Sequence, residues 1–434
     1  MNRRRACAAS LIALALVATA CGDDATDSTD DAATTDVTEP AESTTDASDD
    51  GAASDADAED PGDTSGADDG RDGDGDDDDG TETTTATDDA AMSTEVTAGE
   101  PFPAGRCDAN QAAGTISYLS GFDFAATASI IDIVIADHNG YYDELCLDVE
   151  ITPSFSTANY PLVAANDAQF SSSGSFSELA TFSEVNEADL VALAVEGRVA
   201  IDSLMVKPDQ ADSLEALAGQ TIGVKGKLPP SIAAMMATIG LAEGDDFDTV
   251  LLDGFDPLAH WEVDGVSAVP GWKSNEPGTL ERSGVAFDLY DPADFGIPGS
   301  FGLVYTNREF LDEHPTAAED FMRATMRGLA DAIADPEGSA AIAVDLINGN
   351  GNPNFLSPEG ETFRWVTDAQ LITDTTPAGS FPGVPDPAAL AAEIEAYEAV
   401  GVYAETGTPQ TDGRFDESLL LGLYADDGTV IWPG

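Results

Sequence analysis

Two aromatic residues stand beside polar side chains that suit the binding of a small flat molecule. Trp272 is followed by Asn275 and Glu276, so a stacking face lies near a carboxylate that accepts paired hydrogen bonds. Phe122 stands beside Asp123 in a similar way. A ring that carries amino groups fits such residues. The alternatives are lobe packing for Trp272, core packing for Phe122, and helix capping for Asp123 and Asn275.

Serine and lysine residues indicate a second kind of ligand, a small anion. Ser172 and Ser173 belong to a run of serines that offers hydroxyls and backbone N–H groups ahead of a predicted helix. Lys225 follows a predicted buried strand, in a chain with only 16 basic residues. These groups suit a sulfonate or a phosphate. The alternatives are an ion pair for the lysine and a helix cap among the serines.

The elements that must position these residues alternate between strand-like and helix-like segments. Predicted strands cover 114–119, 147–151, 168–171, 190–195, 202–206, 221–224, 250–252, 266–269 and 301–305. Predicted helices cover 125–136, 160–165, 213–218, 231–239, 256–263, 315–334 and 385–399. This alternation favours mainly parallel sheets with helices on both faces. Ligands of such sheets bind where the strands end, which is where Phe122, Ser172, Lys225 and Trp272 fall.

The N-terminus has the pattern of a bacterial lipoprotein export signal. Arg3, Arg4 and Arg5 precede an apolar stretch that closes with small residues before Cys21. The stretch is shorter than the roughly 20 residues of a membrane-spanning helix. We therefore expect residues 1–20 to be removed and Cys21 to carry a lipid. A plain secretory signal cut after Ala20 is the alternative.

Residues 21–106 are predicted to form a disordered acidic linker, because this segment has few side chains that could build a core. The whole chain has a formal net charge of −67. Residues after Pro101 carry 54 acidic and 12 basic side chains, a net charge of −42. Nucleic acid and anionic membrane surfaces would be repelled by such a chain, so neither is expected as a partner.

Two cysteines remain for the folded part, Cys107 and Cys146. An oxidising compartment outside the cytoplasm favours a disulfide between them, with two free thiols as the alternative. The chain has three histidines, and nothing in their spacing groups them as metal ligands. No nucleophile, base and orienting acid form a catalytic set. We therefore expect no metal, no cofactor and no covalent chemistry.

Four sequence segments, in order, resemble one known family. They are Gly140–Glu144 with Leu147–Ile151, Ser213–Leu214 with Leu217–Val224, Asn275–Pro277, and Tyr305–Leu311 continuing to Asp335–Pro336. The chain resembles ABC-transporter solute-binding proteins of the periplasmic-binding type, in the thiamine pyrimidine synthase-like group that is close to sulfonate- and nitrate-binding proteins. The resemblance covers about 114–424, and Glu276 matches the glutamate of the family's "nEp" segment.

The resemblance implies an α/β fold with two lobes and a hinge, the type II periplasmic-binding-protein fold. The predicted segments are 107–206 as the first part of lobe 1, 207–298 as lobe 2, and 299–434 as the return to lobe 1 with C-terminal helices. It implies a monomeric receptor, lipid-anchored outside the cytoplasm, that closes on a small molecule and delivers it to an ABC permease. An aminopyrimidine thiamine precursor is the expected ligand, and an alkanesulfonate or similar anion is the alternative.

The chain departs from the family's enzymes at two places. The fungal enzymes carry an active-site histidine after the first strand, where this chain has Ser120–Phe124, and a cysteine-rich motif, near which it has Gly296–Ser300. A pyrimidine-synthesis enzyme is therefore disfavoured as the function. A surface sensor that uses the same fold is the remaining rival.

Overall fold

The computed structural model describes residues 94–351 and 357–434. The predicted export signal, Cys21 and the linker as far as residue 93 lie outside the described residues. None of the helices in these two ranges combines the length and the apolar character that crossing a membrane requires.

Strands and helices alternate along most of the described chain. The strands are β1 (Thr115–Leu119), β2 (Asp148–Thr152), β3 (Phe170–Ser173), β4 (Leu190–Gly197), β5 (Asp202–Val206), β6 (Thr221–Val224), β7 (Asp248–Leu251), β8 (Ala268–Trp272), β9 (Asp288–Tyr290) and β10 (Phe301–Asn307). The helices are α1 (Ala104–Ala112), α2 (Ile131–His138), α3 (Tyr141–Glu144), α4 (Ser156–Ala164), α5 (Phe176–Asn186), α6 (Pro230–Thr238), α7 (Pro257–Trp261), α8 (Glu276–Arg282), α9 (Arg308–Glu313), α10 (Pro315–Ala334), α11 (Pro336–Asn350), α12 (Pro358–Thr375), α13 (Pro387–Ala399) and α14 (Glu417–Leu421).

Two five-stranded sheets form the cores of two lobes. The order in lobe 1 is β2-β1-β3-β10-β4, and in lobe 2 it is β7-β6-β8-β5-β9. In lobe 1, β1 runs parallel to β2 and β3, whereas β10 is antiparallel to β3 and β4. In lobe 2, β6 runs parallel to β7 and β8, whereas β5 is antiparallel to β8 and β9. In each sheet four of the five strands therefore run in the same direction, so the expectation of mainly parallel sheets is confirmed, and one reversed strand in each, β10 or β5, was not predicted.

The antiparallel strands have a topological cause. Segments 198–201 and 291–300 carry the chain from one lobe to the other, and β5 and β10 directly follow these segments. Parallel strands of each lobe end at the side that faces the other lobe, so a strand that enters from that side runs in the opposite direction. Because β5 pairs with β8 and β9, lobe 2 begins at Asp202. The sequence had predicted that it begins at residue 207.

The start of the folded part is bound to lobe 1. Helix α1 begins at Ala104, inside the segment assigned to the linker. Cys107 in this helix forms a disulfide with Cys146, with Cα atoms 5.3 Å apart. Arg106 donates to both carboxylate oxygens of Asp320 on α10, at 2.6 and 2.9 Å. The N-terminal arm is thus held by a covalent bond and by a buried ion pair.

Candidate ligand-binding cleft

A cavity of about 460 Å³ lies between the two lobes. Its wall includes seven of the eight residues that the sequence singles out for ligand binding, namely Phe122, Ser172, Ser173, Lys225, Trp272, Asn275 and Glu276. A wider groove of about 780 Å³ lies away from them, between α2, α11 and the edge strand β2. We place the candidate site in the smaller cavity, because both lobes line it and the strand ends meet there.

Four aromatic side chains of the cavity wall, Phe122, Phe155, Phe255 and Trp272, form what we term the aromatic cluster. Phe122 is its centre, with ring centroids 5.7 Å from Phe155, 6.1 Å from Phe255 and 5.8 Å from Trp272. Phe122 and Phe155 belong to lobe 1, and the other two belong to lobe 2. These distances are typical of favourable edge-to-face and tilted ring contacts. The cluster therefore joins the two lobes across the cleft.

The loop after β1 places Phe122 in the cluster. Gly121 passes so close to β3 that a Cβ atom there would lie 2.8 Å from the Ser172 carbonyl oxygen, which only glycine avoids. Phe122 then forms an isolated bridge with Phe155. Asp123 follows with a φ of 45°, and its N–H donates to the Ser154 carbonyl at 2.8 Å. Asp123 is the one predicted ligand residue that does not line the cavity.

Glu276 on α8 is buried, with 2% of its surface exposed, and both of its carboxylate oxygens are engaged. Oε1 forms a hydrogen-bonded ion pair with Lys225 Nζ. Oε2 accepts the N–H of Trp272 at 2.7 Å. Lys225 Nζ also lies 5.9 Å from the ring centroid of Phe255, within cation–π range. Two residues that the sequence assigned to competing ligand types thus bind each other.

A second glutamate–cation pair lies on the lobe 1 side. Arg364 on α12 is 1% exposed, and its Nη1 donates to both oxygens of Glu361 at 3.0 and 2.9 Å. Its guanidinium carbon lies 5.8 Å from the ring centroid of Phe122. Glu361 Oε2 also accepts the N–H of Ala126, at 2.9 Å. Each lobe therefore has a buried glutamate that holds both a cation near a ring of the aromatic cluster and a backbone N–H of a cleft segment.

Buried carboxylates also hold the rest of the loop between β1 and α2. Asp368 accepts the N–H of Ala128 at 3.1 Å, and Glu196 accepts that of Ser129 at 2.9 Å. The sequence predicted a helix from 125, but α2 begins only at Ile131. The reason is that Ser129 adopts a φ of 60° and these N–H groups bind side chains outside the loop.

The carboxyls of Asp132 and Glu196 meet below this loop. Neither residue is exposed, and both oxygens of Asp132 and Oε2 of Glu196 lack a donor partner in the described part of the chain, so the two carboxyls can hydrogen-bond each other only when one of them carries a proton. Burial raises the pKa of Asp132 to about 6, against hydrogen bonds that lower it. Burial and the neighbouring Asp132 raise the pKa of Glu196 well above its usual range. The pair therefore holds a proton at pH values at which exposed carboxyls are ionised.

The predicted serine site is occupied by contacts within the protein. Ser172 Oγ accepts the N–H of Gly121 at 2.6 Å and lies 3.0 Å from the Tyr118 hydroxyl. Ser173 Oγ lies 2.6 Å from the hydroxyl of Tyr160. Both serines face the cavity, but their hydroxyls already have partners. Three N–H groups of the loop between β1 and α2 are bound by carboxylates as well. Few hydrogen-bond donors therefore remain at this wall for an anion.

Two further carboxylates line the cavity, Glu178 and Asp202. Glu178 is exposed to the cavity, but the surrounding cleft walls reduce its solvation, which raises its pKa to about 7, with the charge of Asp202 adding to the shift and Lys227 opposing it. Burial also raises the pKa of Asp202 to about 6, against a hydrogen bond from Ser231. Both carboxyls therefore bind a proton more readily than fully solvated ones do.

Sequence reasoning missed several residues of the cleft. Phe155 follows β2 and Phe255 follows β7, so the rule that found Phe122 at the end of β1 would have found both. Arg364 lies in a helix far along the chain and gives no such signal. Asn275 lines the cavity, and its Oδ1 is buried and has no hydrogen-bond partner in the described part of the chain. No group of three or more side chains in 94–351 and 357–434 is arranged to hold a metal ion.

Comparison with known proteins agrees with this architecture. The chain is 31% identical over 138 residues to a riboflavin-binding protein, RibY, of Chloroflexus aurantiacus. That match covers 31% of this chain and 38% of the relative, so it spans well under half of that protein. The periplasmic aliphatic sulphonate-binding protein of Escherichia coli has a similar fold, with a TM-score of 0.52 at 13% identity, over 69% of this chain and 91% of that one.

A second solved structure gives the same result. A periplasmic sulfonate-binding protein of Methylobacillus flagellatus has a TM-score of 0.50 at 14% identity, over 71% of this chain and 92% of its own. These likenesses show an α/β periplasmic-binding-protein fold with two sheets. The family model described as NMT1/THI5 like matches residues 127–339, which contain most of the cavity wall. Over residues 127–339 this chain is therefore similar to the members of that family.

Proposed function

We propose that this protein is the solute receptor of an ABC importer and that it binds a flat, uncharged heteroaromatic molecule between its lobes. The ring of the ligand contacts the aromatic cluster, and closure of the lobes about segments 198–201 and 291–300 encloses it. The protein performs no covalent chemistry on the ligand.

The aromatic cluster is the observation that carries this proposal. Phe155 and Phe255 are 38% and 53% exposed, so large apolar rings face the cleft and its mouth instead of a core. Exposed aromatic groups of this kind are typical of binding surfaces. A flat ring that enters the cluster gains stacking with side chains of both lobes, and it is therefore bound best when the lobes are close together.

The charges of the cleft favour an uncharged ligand. Three acidic side chains, Glu178, Asp202 and Glu276, face three basic ones, Lys225, Lys227 and Arg364, in the cavity wall. Lys225 and Arg364 are held in ion pairs with glutamates. A small anion would have to compete with these glutamates, and the net charge of −42 beyond Pro101 would oppose its approach.

The size of the cavity favours a ring that carries a polar substituent. About 150 Å³ suffices to hold benzene, whereas this cavity measures about 460 Å³. The space beyond the aromatic cluster is lined by Glu178, Asp202 and serine hydroxyls, which suit a hydroxylated or amino-bearing chain. Asn275 Oδ1 offers a free acceptor in the same wall. Riboflavin and an aminopyrimidine are the larger and the smaller candidate of this class.

The proposed receptor acts outside the cytoplasm. The sequence of residues 1–21 supports export and lipidation at Cys21, and the acidic linker would hold a monomeric binding domain away from the membrane. The membrane partner is then an ABC permease that receives the ligand when the lobes open. In this account the lobes close for transport and the receptor changes no bond of its ligand.

The rival function is a receptor for an alkanesulfonate. The cluster of Lys225 and Lys227 at the cleft favours it, as do the serines of β3. The occupied serine hydroxyls and the Lys225–Glu276 ion pair argue against it. An enzyme of pyrimidine synthesis and a surface sensor are further rivals, and they differ from a receptor in turnover and in the need for a permease.

Equilibrium dialysis of the full chain tests the proposal. Riboflavin, an aminopyrimidine, an alkanesulfonate and nitrate are each dialysed against the protein, and the ligand is then recovered and analysed by mass spectrometry. We expect saturable binding of a ring compound and recovery of the unchanged molecule. Binding of the sulfonate alone would replace the proposed ligand class, and a chemically altered ligand would establish an enzyme.

A further inference from the structure

We propose that Lys225 and Glu276 are positioning residues, which hold Phe255 and Trp272 in place to form the lobe 2 face of the aromatic site and do not themselves hydrogen-bond the ligand. The inference rests on the proposed function, since it concerns how the same site selects flat rings. It assigns a role to the glutamate of the "nEp" segment other than direct recognition of an amino group.

The contacts of Glu276 support a positioning role. One carboxylate oxygen binds Lys225 Nζ and the other accepts the backbone N–H of Trp272. The side chain is almost completely buried, so a ligand could reach it only by displacing one of these partners. The bond to the Trp272 N–H fixes the end of β8, and with it the point from which the tryptophan ring projects into the cleft.

Lys225 extends this support to the second ring of lobe 2. Its Nζ lies 5.9 Å from the Phe255 centroid and is held there by Glu276. Phe255 is more than half exposed, and its only ring partner in the described part of the aromatic cluster is Phe122. A ring with so little packing would otherwise rotate freely, and fixing it when the ligand binds would cost affinity.

Lobe 1 has the matching arrangement, so the same kind of support occurs on both sides of the cleft. Glu361 holds Arg364 against Phe122 and also accepts the N–H of Ala126 in the loop that follows Phe122. In both lobes a glutamate thus fixes one cation beside a ring and one backbone N–H of a cleft segment. A site whose side chains are held by such supporting contacts is preorganised for its ligand.

The test uses variants of the full chain with a matched control. Lys225→Met removes the cation, Lys225→Arg keeps it, and Glu276→Gln keeps an acceptor for the Trp272 N–H but loses the charge that holds Lys225. Lys207→Met is the control, because Lys207 Nζ lies 5.7 Å from the Trp261 ring centroid, which is the same kind of contact outside the cleft wall. Trp272→Phe in each background isolates the near-ultraviolet circular dichroism of Trp272.

Two measurements are made on each variant. We expect Lys225→Met to reduce the circular dichroism of Trp272 and to weaken riboflavin binding about tenfold, and Glu276→Gln to do the same to a smaller extent. Lys225→Arg should restore most of both signals, and Lys207→Met should change neither.

The circular dichroism measurement needs no ligand, so it separates the two proposals. If the wild-type protein does not bind riboflavin but Lys225→Met still loses the Trp272 signal, the choice of ligand fails and the positioning role stands. An unchanged Trp272 signal in both Lys225→Met and Glu276→Gln would overturn the positioning role, whatever binds. So would an equal loss in Lys207→Met, because the effect would then be general to lobe 2.

Discussion

The two walls of the cleft are built differently. In lobe 1, the loop that follows Phe122 is held from below by Glu361, Asp368 and Glu196, all of them buried. In lobe 2, the corresponding support is the Lys225–Glu276 pair, and 29% of the lysine side chain is exposed. Lobe 1 also contains the disulfide and the ion pair between α1 and α10.

This difference indicates that the two cleft walls differ in how far they can adjust to a ligand. A wall in which three backbone N–H groups bind buried carboxylates cannot adjust to a ligand without breaking several hydrogen bonds at once. A wall that depends on one partly exposed ion pair can shift at small cost. We infer that lobe 1 presents a fixed ring, Phe122, and that lobe 2 brings Phe255 and Trp272 to it.

The largest expected contrast lies in stability. Glu361→Gln removes the carboxylate to which the buried Arg364 donates and leaves only the electrostatic attraction of Asp368, so we expect a loss of about 3 kcal/mol in the free energy of unfolding. Glu276→Gln should cost about 1 kcal/mol or less, because Lys225 can turn into solvent. Urea unfolding of both variants measures the difference, and equal losses would remove the distinction between the two walls.

A smaller contrast is expected in ligand affinity. Phe122 contacts three rings of the aromatic cluster, whereas Phe255 contacts one. Phe122→Leu removes a ring that the ligand would contact and also loosens the three rings around it, so it should weaken riboflavin binding about tenfold, whereas Phe255→Leu removes one ligand contact of about 0.5–1.5 kcal/mol and should weaken binding about threefold. Calorimetric titration checks the order, with Phe287→Leu as control for a ring outside the cavity wall. The reverse order would make lobe 2 the principal recognition face.

The smallest effect concerns pH. Reduced solvation raises the pKa of Asp132 to about 6 and that of Glu178 to about 7, so between about pH 4 and pH 7 these two groups bind more protons in the folded chain than in the unfolded chain. The stability that these two groups contribute is therefore fully present below about pH 4 and is lost as the pH rises through their folded-state pKa values of about 6 and 7. We expect the midpoint of thermal unfolding to fall by a few degrees from pH 5 to pH 8.

Asp132→Asn separates the lobe 1 share of this pH effect from the rest. The amide can donate to Glu196 without a shared proton, so the variant should show a smaller fall over the same range. Asp368 and Tyr118 also face the pair, and they remain in place in this variant. If the midpoint of thermal unfolding falls by the same amount in this variant, the pH effect comes from the carboxyls of the cleft, such as Glu178, and from the acidic surface.

Local sequence patterns predicted most of the elements that build the lobes. The bounds of β5, β6 and α10 agree with the structure to the residue, because each has a clear apolar pattern between strong punctuating residues. The single antiparallel strand of each sheet was missed, since a strand's neighbours in the sheet are set by contacts far apart in sequence. The late start of α2 was missed for the same reason, because the carboxylates that bind its preceding loop come from β4 and α12.

The candidate site was found in outline but not in its internal contacts. The carboxyl-end rule located Phe122, Lys225 and Trp272, and the family resemblance singled out Glu276. Neither could show that Lys225 and Glu276 bind each other, because this contact joins residues 51 positions apart. The exclusion of Asp123 from the cavity wall depends on one left-handed backbone angle that aspartate adopts more readily than most residues.

The structure explains why a cysteine, Cys146, occupies a position at which the related family has a glycine. The related family has a glycine before the strand that corresponds to β2, and this chain has Cys146 there with a φ of 59°. That backbone angle suits glycine, so a cysteine needs a compensating interaction. The disulfide to Cys107 provides it, and it also closes the α1 arm onto lobe 1.

The central claim is that an uncharged ring binds in the cleft through side chains of both lobes. Calorimetric titration of the full chain with riboflavin and with ethanesulfonate, for the wild type and for the double variant Phe122→Ala, Trp272→Ala, tests it most directly. We expect saturable riboflavin binding that disappears in the double variant, with no heat from the sulfonate. Saturable sulfonate binding that survives the loss of both rings, with none for riboflavin, would contradict it.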